Sequence, residues 1–475
     1  MSDLIYSVIM RETEKVKKLI QSGIDVNKQT YDGNTALMIA ISDNNVDIVK
    51  ILLEVSNTEI ENENNETALM IATGRNDLIE LVLQYANPNY QNKFGRTALM
   101  NTTNLDIINL LIKHGADVNI QDNNGYTALM IAVITGYLEH VNLLLSFANP
   151  NLLNNYNQTA LYFASNNIEI VQSLLKFGAD VNNGSSALIP AIVFGRLDIV
   201  KLLIDSEISP NGGLFNACHR NNFQIVRYLL SLNIYTDEKD RSLLLVSNRC
   251  NIEIAKLLLE NGADPNVYDE DDCTPLMIGL QFDSKFAECI LDYPIDINFR
   301  NKEGNTALMI ASVENHISIV ERLLKLGANP NIQNNKGYTA LMLATGYNNV
   351  EIINLLLLND ADVNLQNNQG HTVLMMSNSI EVFLKFGANP DIQDIYGNTV
   401  LMHSVDPSLV KTILKFGTNL NIQDFRGNTA LMIAVKKQYL NIIEILLPEY
   451  TLDEIYRALS VTVNLNIILL LEKYL

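Results

Sequence analysis

The sequence predicts an all-α solenoid of stacked helix-turn-helix units joined by short β-hairpin loops, and three observations carry that prediction. The string GNTALMIA occurs letter for letter at 33–40, 304–311 and 427–434. A Thr, a Ser or once a Gly opens a helix-forming run at Thr35, Thr67, Thr97, Thr127, Thr159, Ser186, Gly212, Ser242, Thr274, Thr306, Thr339, Thr372, Thr399 and Thr429. These starts lie 26 to 33 residues apart, a period that marks repeat arrays. Finally, 475 residues exceed what one hydrophobic core usually supports.

Within each period the elements follow in fixed order. Gly33 predicts a turn of positive φ, and Thr35 offers its hydroxyl to the free N–H groups of the first helical turn. Ala-Leu-Met-Ile-Ala then supplies strong helix formers, with Leu and the second Ala on one face. In 306–331 the first helix, TALMIASVEN, is followed by a polar break and a second helix, ISIVERLLKLG, with Ile319, Val320, Leu323 and Leu324 on one face. Gly327 stops that helix, and ANPNIQNNKG forms a turn-rich link read as a hairpin finger. With half-matches near Ser2 and Asp453 the count reaches about 16 units. At roughly 8–10 Å per helix layer the stack would extend about 130–160 Å.

On these residues the chain resembles an ankyrin repeat protein. TALMIA stands where that family has T-P-L-H-x-A, and the family's Gly-Ala-Asp-Val-Asn link stands at Gly115 to Asn119 and Gly178 to Asn182, with variants at Gly262, Gly327 and Gly387. The family's proline is present only as Pro275, and its histidine is mostly Met, as at Met38, Met130, Met309 and Met432. The resemblance implies an ankyrin-repeat solenoid whose fingers and inner helices line a concave binding face. The Met substitution implies fewer polar ties between units. The 61 asparagines crowd into breaks and fingers, where tolerance of left-handed backbone explains them locally. Their abundance resembles the ankyrin arrays of amoeba-infecting giant DNA viruses.

The regularity divides the chain into five parts: an N-terminal capping repeat and first hairpin at 1–34, regular repeats at 35–181, degenerate repeats with shortened hairpins at 182–273, regular repeats at 274–450, and a C-terminal capping repeat at 451–475. Around 374–387 and 403–409 the break between helices shortens instead. Terminal repeats with polar outer faces keep such a stack soluble.

Composition bounds the function. A net charge of −20 with 48% hydrophobic residues predicts an ordered soluble protein, repels nucleic-acid phosphate and favours a basic protein partner. Cys218, Cys250, Cys273 and Cys289 lack zinc-site spacing and are read as reduced thiols. The N-terminal stretch is expected not to act as a signal peptide, and 459–471 is read as too short and too interrupted to span a bilayer. A monomer in the cytoplasm is expected, the host cytoplasm for a viral protein.

No catalytic motif, phosphate loop or metal-ligand spacing is present, so no enzyme, cofactor or metal is expected. The six histidines, His114, His140, His219, His316, His371 and His403, occupy unrelated repeat positions. Adjacent Cys218 and His219 diverge on a helix and cannot act as nucleophile and base. The acidic fingers at 59–66 and 269–272 lack a calcium-loop pattern.

The candidate protein-binding residues are Tyr31, Phe94, Tyr396 and Phe425, just before a finger glycine, and Arg96, Tyr126, Tyr338 and His371, just after one. Aromatic residues and arginine anchor many interfaces, although finger aromatics also stabilise hairpins by cross-strand packing. A non-catalytic protein-interaction scaffold is the function expected. The alternative is a substrate-recruiting ubiquitin-ligase adaptor, because Leu447-Pro448-Glu449 followed by LDEIYRAL faintly resembles the start of an F-box. A repeat helix ended by Pro448 explains the same residues.

Overall fold

A computed structural model describes residues 2–232 and 235–474. The chain folds as two compact units, Met1–Ile234 and Tyr235–Leu475. Among the described residues the first holds eight helix pairs, from Asp3–Ile9 with Thr13–Gln21 to Gly213–His219 with Phe223–Leu230. The second holds eight more, from Thr236–Ser247 with Ile252–Glu260 to Leu452–Leu459 with Leu465–Glu472. In each unit, first helices of neighbouring pairs pack on one another and second helices form a parallel layer behind them.

The start signals act as the sequence predicts. Gly33, Gly304 and Gly427 have φ of 74°, 77° and 78°. Thr35 Oγ1 accepts the Met38 N–H at 3.3 Å, and Thr306 and Thr429 cap their helices in the same way. Leu37, Met38 and Ala40 are buried, as are Leu308, Met309 and Ala311. Behind them Ile319, Val320 and Leu323 form the buried stripe of the second helix.

The fingers differ from the hairpin expectation. Among the described residues no β-strand is formed. A finger such as 92–96 has one closing bond, Asn92 N–H to Arg96 C=O at 3.0 Å, and Gly95 N–H returns to Asn92 C=O at 2.7 Å. Five residues leave no length for a ladder. Side chains fasten the turn instead. Oδ1 of Asn62, Asn92, Asp122, Asn154, Asp269, Asn301, Asn334, Asn367, Asp394 and Asp424 accepts the N–H groups two and four residues on.

The expectation of fewer polar ties between repeats is also corrected. Gln91 Nε2 donates to Gly95 C=O in its own finger and to Gln121 C=O in the next, at 2.8 and 2.9 Å. Gln333, Gln366 and Gln393 repeat the pattern. In the links, Asn89 Oδ1 accepts Asp117 N–H at 2.7 Å while its Nδ2 donates to Gly115 C=O at 2.9 Å; Asn151 and Asn331 do likewise. Backbone bonds join the tips, for example Asn335 N–H to Glu303 C=O at 3.0 Å.

Irregular repeats show where length was removed. Around 374–387 and 403–409 the first helix shrinks to one turn, Val373–Met376 and Val400–His403, and an extended Ser377 or Ser404 follows. Thr236–Ser247 is a 12-residue helix that begins six residues ahead of Ser242, so residues standing in a finger's place are helical.

The Leu447-Pro448-Glu449 segment forms a 3₁₀ turn that ends the preceding helix. Ile455, Ala458, Ile467 and Leu471 behind it are buried in a further helix pair. Tyr450, 7% exposed, anchors the turn by donating its hydroxyl to Leu420 C=O at 3.1 Å. Burial pushes this hydroxyl up to about 12, opposed in part by hydrogen bonds involving Leu431 and Thr429. The folded state therefore holds the proton more tightly than the unfolded chain. The associated stability is complete below pH 10 and is lost between pH 10 and about 12. Tyr450→Phe should lack this alkaline loss, roughly 2–3 kcal/mol, in unfolding curves compared at pH 9 and 12.

Candidate protein-binding face

In each unit the fingers and the first helices present a surface, and the structure sorts the candidate residues into two sets. Tyr31, Phe94, Tyr396 and Phe425 stand at finger tips, with 99%, 52%, 66% and 77% of their surface exposed. The backbones of Phe94, Tyr396 and Phe425 carry inter-finger bonds, and in the first finger Asp32, next to Tyr31, does so. Phe94 C=O accepts Asn123 N–H at 3.0 Å, and Tyr396 C=O accepts Phe425 N–H at 3.1 Å. With no strand beside them, the rings are not held by cross-strand packing.

Arg96, Tyr126, Tyr338 and His371 sit lower, where the finger enters the first helix. Tyr126, Tyr338 and His371 are half-buried. Each of three leans on the following repeat: Arg96 Nε lies 3.8 Å from the buried Asp122 carboxylate, the Tyr126 ring 5.7 Å from Phe163, and His371 Nε2 3.9 Å from Asp394 Oδ2. These residues form the floor of the surface, while the tip aromatics form its free edge.

Shallow grooves run between finger and helix. One, of about 480 Å³, is lined by Tyr338 with Ile310, Leu343 and Tyr347. Another, of about 400 Å³, is lined by Tyr396, His403, Phe425, Arg426, Lys436 and Lys437. A third, about 550 Å³, places Tyr31 beside Ile9 and Ile39. Sequence reasoning missed Ile39, Ile310 and Leu343. The run ALMIA is apolar throughout, so its one residue that faces outward is hidden among those that face the core. The local basic patch of Arg426, Lys436 and Lys437 was missed too, because its members are split between a finger and the end of a helix.

Two of the carboxylates beneath the fingers, Asp394 and Asp424, lie below the usual carboxylate range. Burial alone would raise Asp424, but its hydrogen bonds from Asn428 and from the Arg426 backbone, with Lys436 nearby, bring it below the usual carboxylate value. Asp394 shows the same balance: burial raises it, while the backbone N–H groups of Asn398 and Tyr396, the His403 ring and the Asn398 amide lower it further.

The histidines are not all unconnected. His403 Nε2 lies 2.7 Å from Asp394 Oδ2, and the rings of His371 and His403 meet edge to face with centroids 5.8 Å apart. One histidine ends a finger and the other ends a one-turn helix, so linear spacing gives no hint of the pairing.

Paired helices in two layers with inward fingers define an ankyrin-type repeat array. The family comparison agrees. The family model described as ankyrin repeats (3 copies) matches 4–92, 74–154, 146–213, 211–269, 243–334, 313–378 and 375–455, and the chain belongs to this family. An ankyrin repeat protein of Acanthamoeba polyphaga mimivirus is 26% identical over 222 residues, covering 34% of this chain and 29% of that protein. A second from the same virus is 37% identical over 188 residues, covering 32% and 33%. The chain thus spans about a third or less of the length of these relatives. A crystal structure of the human ASB11 ankyrin repeat domain is similar with TM-score 0.36 and 23% identity, covering 39% of this chain and 91% of that one. Ankyrin repeats are interaction modules. Among the described residues no helix is long and apolar enough to cross a membrane.

Proposed function

We propose that the protein is a non-catalytic scaffold that binds a protein partner on the finger side of the first helices of its units. The observation that carries this reading is the exposure of Tyr31, Phe94, Tyr396 and Phe425 on fingers whose backbones are tied to their neighbours. A fastened finger loses little entropy on binding, so contacts spread over several repeats can add up to specific affinity. Half-buried Tyr126 and Tyr338 supply flat contact area beneath the tips. A net charge of −20 favours a partner of net positive charge at long range, and a monomer in the cytoplasm is the setting this reading assumes.

Affinity capture from the cells that make the protein tests it. Tyr126→Ala with Tyr338→Ala should reduce recovery of the main partner at least about tenfold, equivalent to about 1.4 kcal/mol, and adding Tyr31, Phe94, Tyr396 and Phe425 to Ala should abolish it. Unchanged recovery with all six replaced would show that the partner binds elsewhere.

A further inference from the structure

We infer that His371, Asp394 and His403 form a binding site for a divalent transition metal, with zinc the best match. Among the described residues these three form a group whose ligand atoms all lie within 4.8 Å of one another. The ligands come from two adjacent repeats. His371 closes one finger, Asp394 fastens the next, and His403 ends the helix Val400–His403 that follows.

The geometry is close to what a tetrahedral ion requires. Ligand atoms bound at the usual zinc distances stand roughly 3.3 Å apart. Asp394 Oδ2 is 2.7 Å from His403 Nε2 and 3.9 Å from His371 Nε2, one pair slightly short and the other slightly long. Small rotations of two partly exposed imidazoles equalise them. The carboxylate does not need to move. Its Oδ1 accepts Tyr396 and Asn398 N–H groups, both at 2.8 Å, and its side chain has no exposed surface. Such support orients a ligand before the ion arrives.

The two rings, with 30% and 39% of their side-chain surface exposed, leave one side open for a fourth ligand. Two imidazoles and one carboxylate suit zinc and its transition-metal neighbours rather than calcium or magnesium. Arg426, Lys436 and Lys437 line the groove beside His403 and oppose a cation held by charge alone. Selection must therefore come from imidazole coordination. The ion would join adjacent repeats where both first helices, Val373–Met376 and Val400–His403, are four residues long.

The other repeats supply conservative tests. Asn takes Asp394's place in the fingers of Asn334 and Asn367, Asn305 and Asn428 stand at the position of His371, and Ile310 and Ile433 at that of His403. Asp394→Asn, His371→Asn and His403→Ile should therefore fold. Isothermal titration of the full chain with zinc should show one site with Kd at or below about 10 μM. Each variant should weaken it at least about tenfold. With cobalt in place of zinc, the wild type should show the intense visible bands of a four-coordinate ion, and His371→Asn/His403→Ile should not. Absence of a stoichiometric site in the wild type, or equal affinity and spectra in the variants, would overturn the assignment.

Discussion

Gly337→Ala is expected to destabilise the protein by about 2–5 kcal/mol, far more than the same change at Gly327. Both glycines have positive φ, 79° and 89°, so either alanine meets the left-handed penalty of about 1–2 kcal/mol per residue. They differ in what lies beyond the Cα. A Cβ on Gly337 would sit 2.6 Å from the backbone nitrogen of Asn368 and 2.8 Å from Asn367 Cα, whereas nothing lies within 4 Å at Gly327. The obstructing atoms belong to the next finger and cannot rotate away, so overpacking adds about 1–3 kcal/mol. Finger glycines such as Gly337 and Gly370 are thus fixed by the neighbouring repeat, and helix-end glycines such as Gly327 and Gly387 only by their own backbone. Urea midpoints at unchanged slope would measure the difference. Equal shifts at the two sites would mean that the fingers are not in close contact.

Asn367→Ala is the second large effect expected, about 2–4 kcal/mol. Asn367 is 5% exposed, and its Oδ1 accepts Gln369 N–H at 2.9 Å and His371 N–H at 3.0 Å. Alanine leaves both donors without that acceptor, at a cost of about 1–3 kcal/mol each, reduced by whatever water reaches them. Asp in the same place keeps both bonds. The buried Nδ2 of Asn367 has no hydrogen-bond partner, so Asn367→Asp gives up no bond. Asp394 and Asp424 already do this work in their own fingers. Asn367→Asp should therefore keep the turn and lose stability chiefly through its second carboxylate oxygen, which would be buried without the partners that Asp394 and Asp424 have for theirs.

The fold was legible because its signals are local and repeated. Gly33, Thr35 and the ALMIA run specify a turn, a cap and a helix without help from distant residues, and repetition removes the ambiguity of any single copy. The fingers were harder to read. Asn92 and Asn334 suit a turn for reasons visible in sequence, but their side-chain oxygens act on N–H groups two and four residues on, and nothing in the letters shows the absence of a strand. The link and finger ties, such as Asn89 to Asp117 and Gln91 to Gln121, span about one repeat and need the stack to exist before they can be seen.

The candidate face was legible in part. Position relative to the finger glycine identified Tyr31, Phe94, Tyr396 and Phe425 as projecting residues, and the structure places all four in solvent. The same logic could not show that Arg96, Tyr126 and His371 rest on the following repeat. Nor could it pair His371 with His403, whose repeat positions differ and whose rings meet beside Asp394.

The central claim is that asparagine and aspartate side chains, rather than strand pairing, hold the fingers that present the proposed binding face. Amide hydrogen exchange at Gln369 and His371 in the wild type, Asn367→Asp and Asn367→Ala tests it most directly. The account predicts slow exchange in the first two proteins and exchange at least about tenfold faster in the third, as local opening becomes easier. Equal rates in all three would contradict it.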